Sequence, residues 1–281
     1  MSGRVTHIVG PSGDTAVVDE DGHLSIHDLS NGLSIAQGEV TGHTFIHKFG
    51  LAPDFDEIDN DVDVWDGAND GTINQMEYTF SSTADIDSIS SNNAGDSQDI
   101  EVQGLDTNFD LVTQTVTLNG QTRVALSTSL IRVFRMKNVG STNVSGQIYC
   151  YPNTAITGGV PDDLTKVRAI INDGNNQTLM AIYTIPNGKT GYMRGWYAST
   201  AGANKTSAYE VSLFARPFGQ VFQLKHISSI NDTGSSHIQH SYIEPEVFAA
   251  KTDIIMRTHV LASGATAAAF SAGFDLVLVD D

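Results

Sequence analysis

Apolar and polar residues alternate along much of this chain, most densely between Gln103 and Leu126, QGLDTNFDLVTQTVTLNGQTRVAL. Period-two patterning is the mark of strands with one buried face. The Asn119-Gly120 pair sits between two such runs, which predicts a β-hairpin. Parity selects the loop. If Val112 and Val116 share a face with Val124 and Leu126, the loop must be odd, because a one-residue slip inverts every side chain. A three-residue loop over Leu118-Asn119-Gly120, with Gly120 in the left-handed conformation, meets that requirement and places Val112 opposite Leu126.

Strand signals continue from Met76 to the end of the chain, near 76–80, 85–90, 98–105, 111–118, 122–127, 130–138, 144–151, 167–172, 178–185, 190–198, 207–216, 220–229, 237–243, 252–261 and 273–279. Tyr209, Val211, Leu213 and Ala215 alternate with Glu210, Ser212 and Arg216; Ile254, Met256 and Val260 alternate with Arg257 and His259. Short strands at this spacing belong to sandwiches and barrels rather than to βαβ units. Helix is expected only as one turn near Pro161–Leu164 and in the Ala265–Ala269 run. The predicted fold is all-β, an antiparallel β-sandwich of jelly-roll-like type over residues 76–281. Its turns include Ile185-Pro186-Asn187-Gly188-Lys189, where Pro186 fixes one torsion and Gly188 supplies a positive one.

The chain before Met76 is different. Residues 1–46 read as short strands around Val17, Leu24, Ile26 and Ile35, separated by tight turns. None buries much alone, so the segment is expected to be an extended N-terminal arm that orders by packing. Residues 47–75 are rich in Asp, Asn and Gly and read as a loop-rich link pinned by Phe49, Phe55 and Trp65.

Charge sharpens this division. The 281 residues carry 33 acidic and 15 basic side chains, and residues 1–110 hold 22 of the acids with only Arg4 and Lys48 as bases. Such polarity argues against nucleic acid as a partner, since phosphate binding needs clustered cations. No stretch has the length of apolar sequence that a membrane span needs, and the first residues lack the plan of a signal peptide, so synthesis in a cytoplasm and no membrane partner are expected. The lone Cys150 excludes an intrachain disulfide and reads as a small buried hydrophobe.

Candidate chemistry is sparse. Asp59, Asp61, Asp63, Asp66 and Asp70 form an oxygen-rich stretch reminiscent of calcium loops, but Val64 stands where an EF-hand needs Gly and no terminal Glu follows, so a solvated acidic loop is the expectation. His43, His47, His237 and His240 fall on strand-like sequence, where their spacing does not build a metal site and exposed strand histidines are expected. No Gly-Xaa-Ser-Xaa-Gly, Walker loop or HExxH occurs. Pairs such as Asp85 and Asp87 are what any acidic β-protein supplies. Neither an enzyme nor a cofactor is expected.

A spaced set of short motifs remains: His47-Lys48-Phe49-Gly50, Pro53-Asp54-Phe55-Asp56, Val64-Trp65-Asp66-Gly67, Gly104-Leu105-Asp106, Leu118-Asn119-Gly120, Ile131-Arg132 and Ile185 to Tyr192. In order and spacing they resemble a family of virion structural proteins of tailed, chiefly marine, bacteriophages, over most of the chain from about residue 40. The resemblance implies a β-sandwich on an N-terminal anchor, placed on the capsid exterior. Its implied partner is the major capsid protein or another virion protein, and its implied assembly a homotrimer. The expected role is a capsid decoration (cement) protein. The alternative is a fibre or adaptor component with a carbohydrate- or receptor-binding sandwich, for which Trp196, Tyr192, Tyr197, Tyr149 and Tyr151 would be stacking platforms. Attachment is expected through Val17, Leu24, Ile26, Ile35, Phe49 and Trp65.

Overall fold

In the computed structural model the backbone is described for residues 8–9, 15–16, 32–55, 61–67, 77–202, 207–232, 236–262 and 268–281. Val17, Leu24, Ile26, Asp59 and Asp70, named above, lie outside these residues, as does the start of the Ala265–Ala269 run. The chain forms two compact units, Met1–Phe45 and Ile46–Asp281.

In the first unit, β1 (Ile8–Val9) pairs antiparallel with β2 (Thr15–Ala16). Where a strand was expected at Leu33–Ile35, the chain instead forms α1 (Gly32–Ala36). Three residues of alternation fit either period, and the local bonds decide: Gln37 N–H donates to Leu33 O at 2.9 Å and Glu39 N–H to Ser34 O at 2.9 Å. Gly38, with φ 75°, ends the helix in the left-handed conformation usual at that position.

The expected loop at 47–75 is also corrected, because β3 (His43–Phe55) runs through its first third and β4 (Val62–Asp63) follows. The alternation was there but carried by unusual residues: Lys48, Gly50 and Ala52 are the buried positions, none of them a large hydrophobe.

The body continues with β5 (Ile86–Ser91), β6 (Asp99–Leu105), β7 (Leu111–Thr117), β8 (Val124–Leu130), β9 (Arg132–Asn138) and β10 (Ile148–Pro152). The short β11 (Ile156–Thr157) and β12 (Val160–Pro161) precede a 3-10 turn at Leu164–Lys166 and then β13 (Ala169–Ile171) and β14 (Ile182–Thr184). The last six strands are long: β15 (Lys189–Gly202), β16 (Ser207–Pro217), β17 (Gln223–Asp232), β18 (Ser236–Phe248), β19 (Thr252–Ala262) and β20 (Ala268–Asp280). Residues 77–80 form no strand, contrary to expectation, although the Tyr78 and Phe80 rings meet edge to face, with centroids 4.8 Å apart.

The fold is all-β with antiparallel sheets. One sheet has the order β14-β19-β16-β17 and a second β18-β15-β20-β3. They face one another, with Tyr209 of β16 against Phe270 of β20 at 6.4 Å and Trp196 of β15 against His226 of β17 at 5.0 Å. Two further sheets, β13-β10-β5-β8 and β7-β6-β9, share the same core, which runs from Ile89 and Ile100 through Phe134 and Tyr183 to Met256 and Phe274. Cys150 lies fully buried in β10 of this core, where burial pushes its thiol up to about 12.

The predicted hairpin does not form. β7 pairs with β6 and β8 with β5, so the two runs belong to different sheets. Their turn is tight, with an Asn119–Thr122 bridge and Thr122 N–H donating to Asn119 O at 3.0 Å, and Gly120 has φ 52°. Beyond that bridge the strands part. Val116 and Leu126 are buried in one core, with Val112 and Val124 packed against it, so the shared burial read from parity holds while the pairing inferred from it does not. Gln114 spans the gap: its Nε2 donates to Thr128 O at 2.9 Å, and its Oε1 accepts from Thr128 N–H at 3.0 Å and Ser127 Oγ at 2.7 Å. One side-chain amide thus replaces two rungs of the missing ladder.

Candidate functional site

The attachment candidates that the structure describes are mostly interior. Ile35 is buried within α1. Phe49 is half-buried in β3, bridged to Met180 and 5.5 Å from the His47 ring. Trp65 is buried, edge-on to Tyr78 at 5.1 Å. Gly67 explains the Trp-Asp-Gly motif: a Cβ there would overlap the Trp65 indole. Of the proposed stacking platforms, Trp196, Tyr149 and Tyr151 are buried, leaving Tyr192 and Tyr197 partly exposed. In the second turn motif Gly188 has φ 68°, Pro186 is buried, and Asn187 N–H donates to Phe109 O at 2.8 Å.

The acidic stretch 61–66 is engaged by the chain's own side chains and backbone. Asp63 accepts from Arg257 Nε at 2.8 Å, and burial pushes its carboxyl up to about 6 against the pull of that guanidinium. Asp61 pairs with His259 at 3.4 Å. Asp66 is buried, accepts from Leu179 N–H at 3.2 Å, and is pushed well above the carboxylate range by burial. Lys48, buried nearby, donates to the Phe134 carbonyl; burial, reinforced by Arg135, lowers its ammonium to about 7, with Asp66 opposing. Among the described residues, no group of three or more His, Cys, Asp or Glu side chains is placed to hold a metal. The histidines divide: His47 and His237 are exposed, whereas His240 is half-buried against Trp196 and His226, 4.3 Å from the latter ring centroid to centroid.

A second ionic cluster lies in the core. Arg132 grips Asp253 with both Nε and Nη2, at 2.8 and 3.0 Å, while Arg216 Nε at 3.1 Å and Thr184 Oγ1 at 2.7 Å fill the remaining acceptor sites. The Arg132 guanidinium also lies over the rings of Phe80, Phe109 and Phe218. A buried pair so fully bonded fixes the geometry where four strands, β9, β14, β16 and β19, meet, and breaking it would strand a buried charge. Ile131-Arg132 was visible as a motif; its distant partner Asp253 was not.

Two surface features remain. The first is the pair of edge strands β17 and β18, each the last strand of its sheet. They expose Leu224 and Ile227 on β17 and Ile243 and Val247 on β18, with Ile243 fully open at 99%. Lys225 and Glu246 meet at 3.7 Å near this edge. The second is a groove of about 390 Å³ lined by Asp85, Asp87, Pro152, Asn153, Lys166 and Arg168.

No family model matches the chain, and no curated protein sequence does so. Among solved structures, a chain of the cryo-EM structure of broad bean stain virus aligns at 11% identity over 70% of this chain and 84% of that one, with a TM-score of 0.23. An empty virus-like particle of cowpea mosaic virus aligns at 11% identity over 75% and 84%, TM-score 0.24. A structure of infectious bursal disease virus, Gt strain, aligns at 11% identity over 85% and 73%, TM-score 0.24. Superpositions this loose transfer neither an architecture nor a partner.

Proposed function

We propose that the chain is a structural protein of a virion, and within that class a capsid decoration (cement) protein on the exterior of a tailed-bacteriophage particle, bound to the major capsid protein or another virion protein. The observation that carries this reading is the ordered motif set from His47 to Tyr192, which resembles such proteins. The edge strands add a physical reason for assembly. Edge strands of this length carrying exposed Leu, Ile and Val normally attract a partner unless they are blunted, and Pro245 with Glu244 blunts only one stretch of β18. A homotrimer built over this edge would cover it. The fibre or adaptor reading is weaker, because three of its five aromatic platforms are buried.

Attachment is assigned to residues 1–46, the arm, and outward projection to the body. Deleting the arm should leave a soluble folded body that no longer joins particles; wild-type occupancy by the truncated protein would make the body the binding element. Copy number separates the two roles, with hundreds per virion expected for decoration and a dozen or fewer for a fibre. Sedimentation should give a trimer for the wild type and a monomer for Ile243→Lys. A wild-type protein that stays monomeric at all concentrations would overturn the trimer.

A further inference from the structure

The groove beside β10 presents an unusual charge arrangement. In the order β13-β10-β5, the strand β10 lies between the other two. Pro152 and Asn153, at its end, therefore form the floor. Lys166 and Arg168 come from the chain entering β13, and Asp85 and Asp87 from the start of β5, on the other side. Adjacent strands lie ~4.8 Å apart, so the cationic and anionic walls are separated by about 10 Å. Among the described residues, no ion pair joins any of these four side chains to another.

The walls are built rather than incidental. Along β10, Tyr151 pairs with Ser88 but Pro152 pairs with Ile86, which leaves Asp87 as the extra residue of a β-bulge. The bulge inverts parity, so that Ile86 and Ile89, three positions apart, both reach the core and Asp87 is turned to the groove. Bulges of this kind recur where a side chain must be re-aimed. Opposite, Arg168 is more than nine-tenths buried and held from behind, donating through Nε to Ser81 Oγ at 3.2 Å and through Nη1 to Thr165 O at 2.8 Å. Nη1 also donates to Val167 O at 3.2 Å, so the bonds that hold the guanidinium go to neutral acceptors. Across the groove Asp85 is exposed and Asp87 half-buried, accepting from Ser88 Oγ at 2.7 Å, so each wall keeps its own sign of charge open to a ligand that carries the opposite one.

We propose that this groove binds a small zwitterion, with its carboxylate on Lys166 and Arg168 and its amine on Asp85 and Asp87. A ligand with only an anion would meet the repulsion of the aspartates, and one with only a cation that of Lys166 and Arg168. A ligand carrying both on a short aliphatic frame satisfies each wall and rests its chain on Pro152. The volume suits a molecule of this size. This site is independent of the virion reading and involves neither edge strand.

Calorimetric titration of the full-length protein with 6-aminohexanoate tests it, with hexanoate and hexylamine at equal ionic strength as single-ended controls. Saturable binding is expected for 6-aminohexanoate, with each control weaker by about tenfold or more. Asp87→Asn and Lys166→Met should each abolish most of the heat while keeping the wild-type urea midpoint, since both side chains are partly exposed. The inference is overturned if 6-aminohexanoate fails to saturate at tens of millimolar, if either control binds equally well, or if both variants bind like the wild type.

Discussion

Gly120 shows how one position serves two constraints. Its positive φ was visible from Asn-Gly between alternating runs; the second constraint was not. Gly120 N–H donates to Asp96 O at 2.8 Å and its carbonyl accepts from Ser91 N–H at 3.1 Å, which draws the turn so close to residues 91–96 that a Cβ would overlap the Ala94 carbonyl. Gly120→Ala therefore costs more than the ~1 kcal/mol of a left-handed alanine, reaching about 2 kcal/mol or above. A urea titration should show the lower midpoint at an unchanged slope. Lys48 gives a residue-scale prediction of opposite character. Its folded pKa, about 7, lies below the ordinary 10.5, so the unfolded chain binds more protons between those values and stability rises with pH there. Below about 7 the native lysine is protonated too and this contribution is constant. Above about 9 the unfolded Cys150 thiol begins to ionise while the native one does not, which acts in the opposite sense. Between pH 7 and 9 the lysine acts without the thiol, while the raised carboxyl of Asp66 beside it acts in the opposite sense, so the contribution of Lys48 is read as the difference between wild type and variant. The stability of the wild type relative to Lys48→Met, from urea titrations, should rise across that range, and a difference that stays flat would sink the assignment.

The β7–β8 corner shows how far alternation reaches at the scale of elements. It correctly marked both strands and their buried residues, because burial is a property of each strand by itself. It could not mark partners, because one turn can lead either into a ladder or across a corner between sheets. The bridge is Gln114, a polar residue that parity places on the inward face between Val112 and Val116 but whose partner across the corner the sequence does not name. Gln114→Ala leaves the Thr128 N–H and C=O without their partners and should cost about 1–3 kcal/mol. Hydrogen exchange should then quicken at Thr128 while amides of the β6–β9 pair stay protected. If Thr128 keeps its protection, the strands hold together without the amide. The strand β3 was lost for the reverse reason: its inward positions are Lys48, Gly50 and Ala52, which carry the right period in the wrong residue types.

At the scale of the whole molecule, the all-β class and most strands of the body were legible, since long alternating runs such as β16 and β19 state their inner face directly. Sheet order was not, because pairing β15 with β20, or β4 with β19, joins residues far apart in sequence. The groove was equally hidden. Asp85 and Asp87 were conspicuous as a pair, but Lys166 and Arg168 become their neighbours only when β13, β10 and β5 assemble, and the bulge that re-aims Asp87 is a property of that assembly. The position of Cys150 has a practical consequence. A single thiol, fully buried in an inner strand and held in its unreactive protonated form, is a built-in clock for opening of the body. Native protein should resist alkylation by iodoacetamide for as long as β10 stays paired, whereas urea-unfolded chain reacts at the rate of a free thiol. The ratio of the two rates, followed by intact mass, reads the free energy of opening at β10 with no engineered probe.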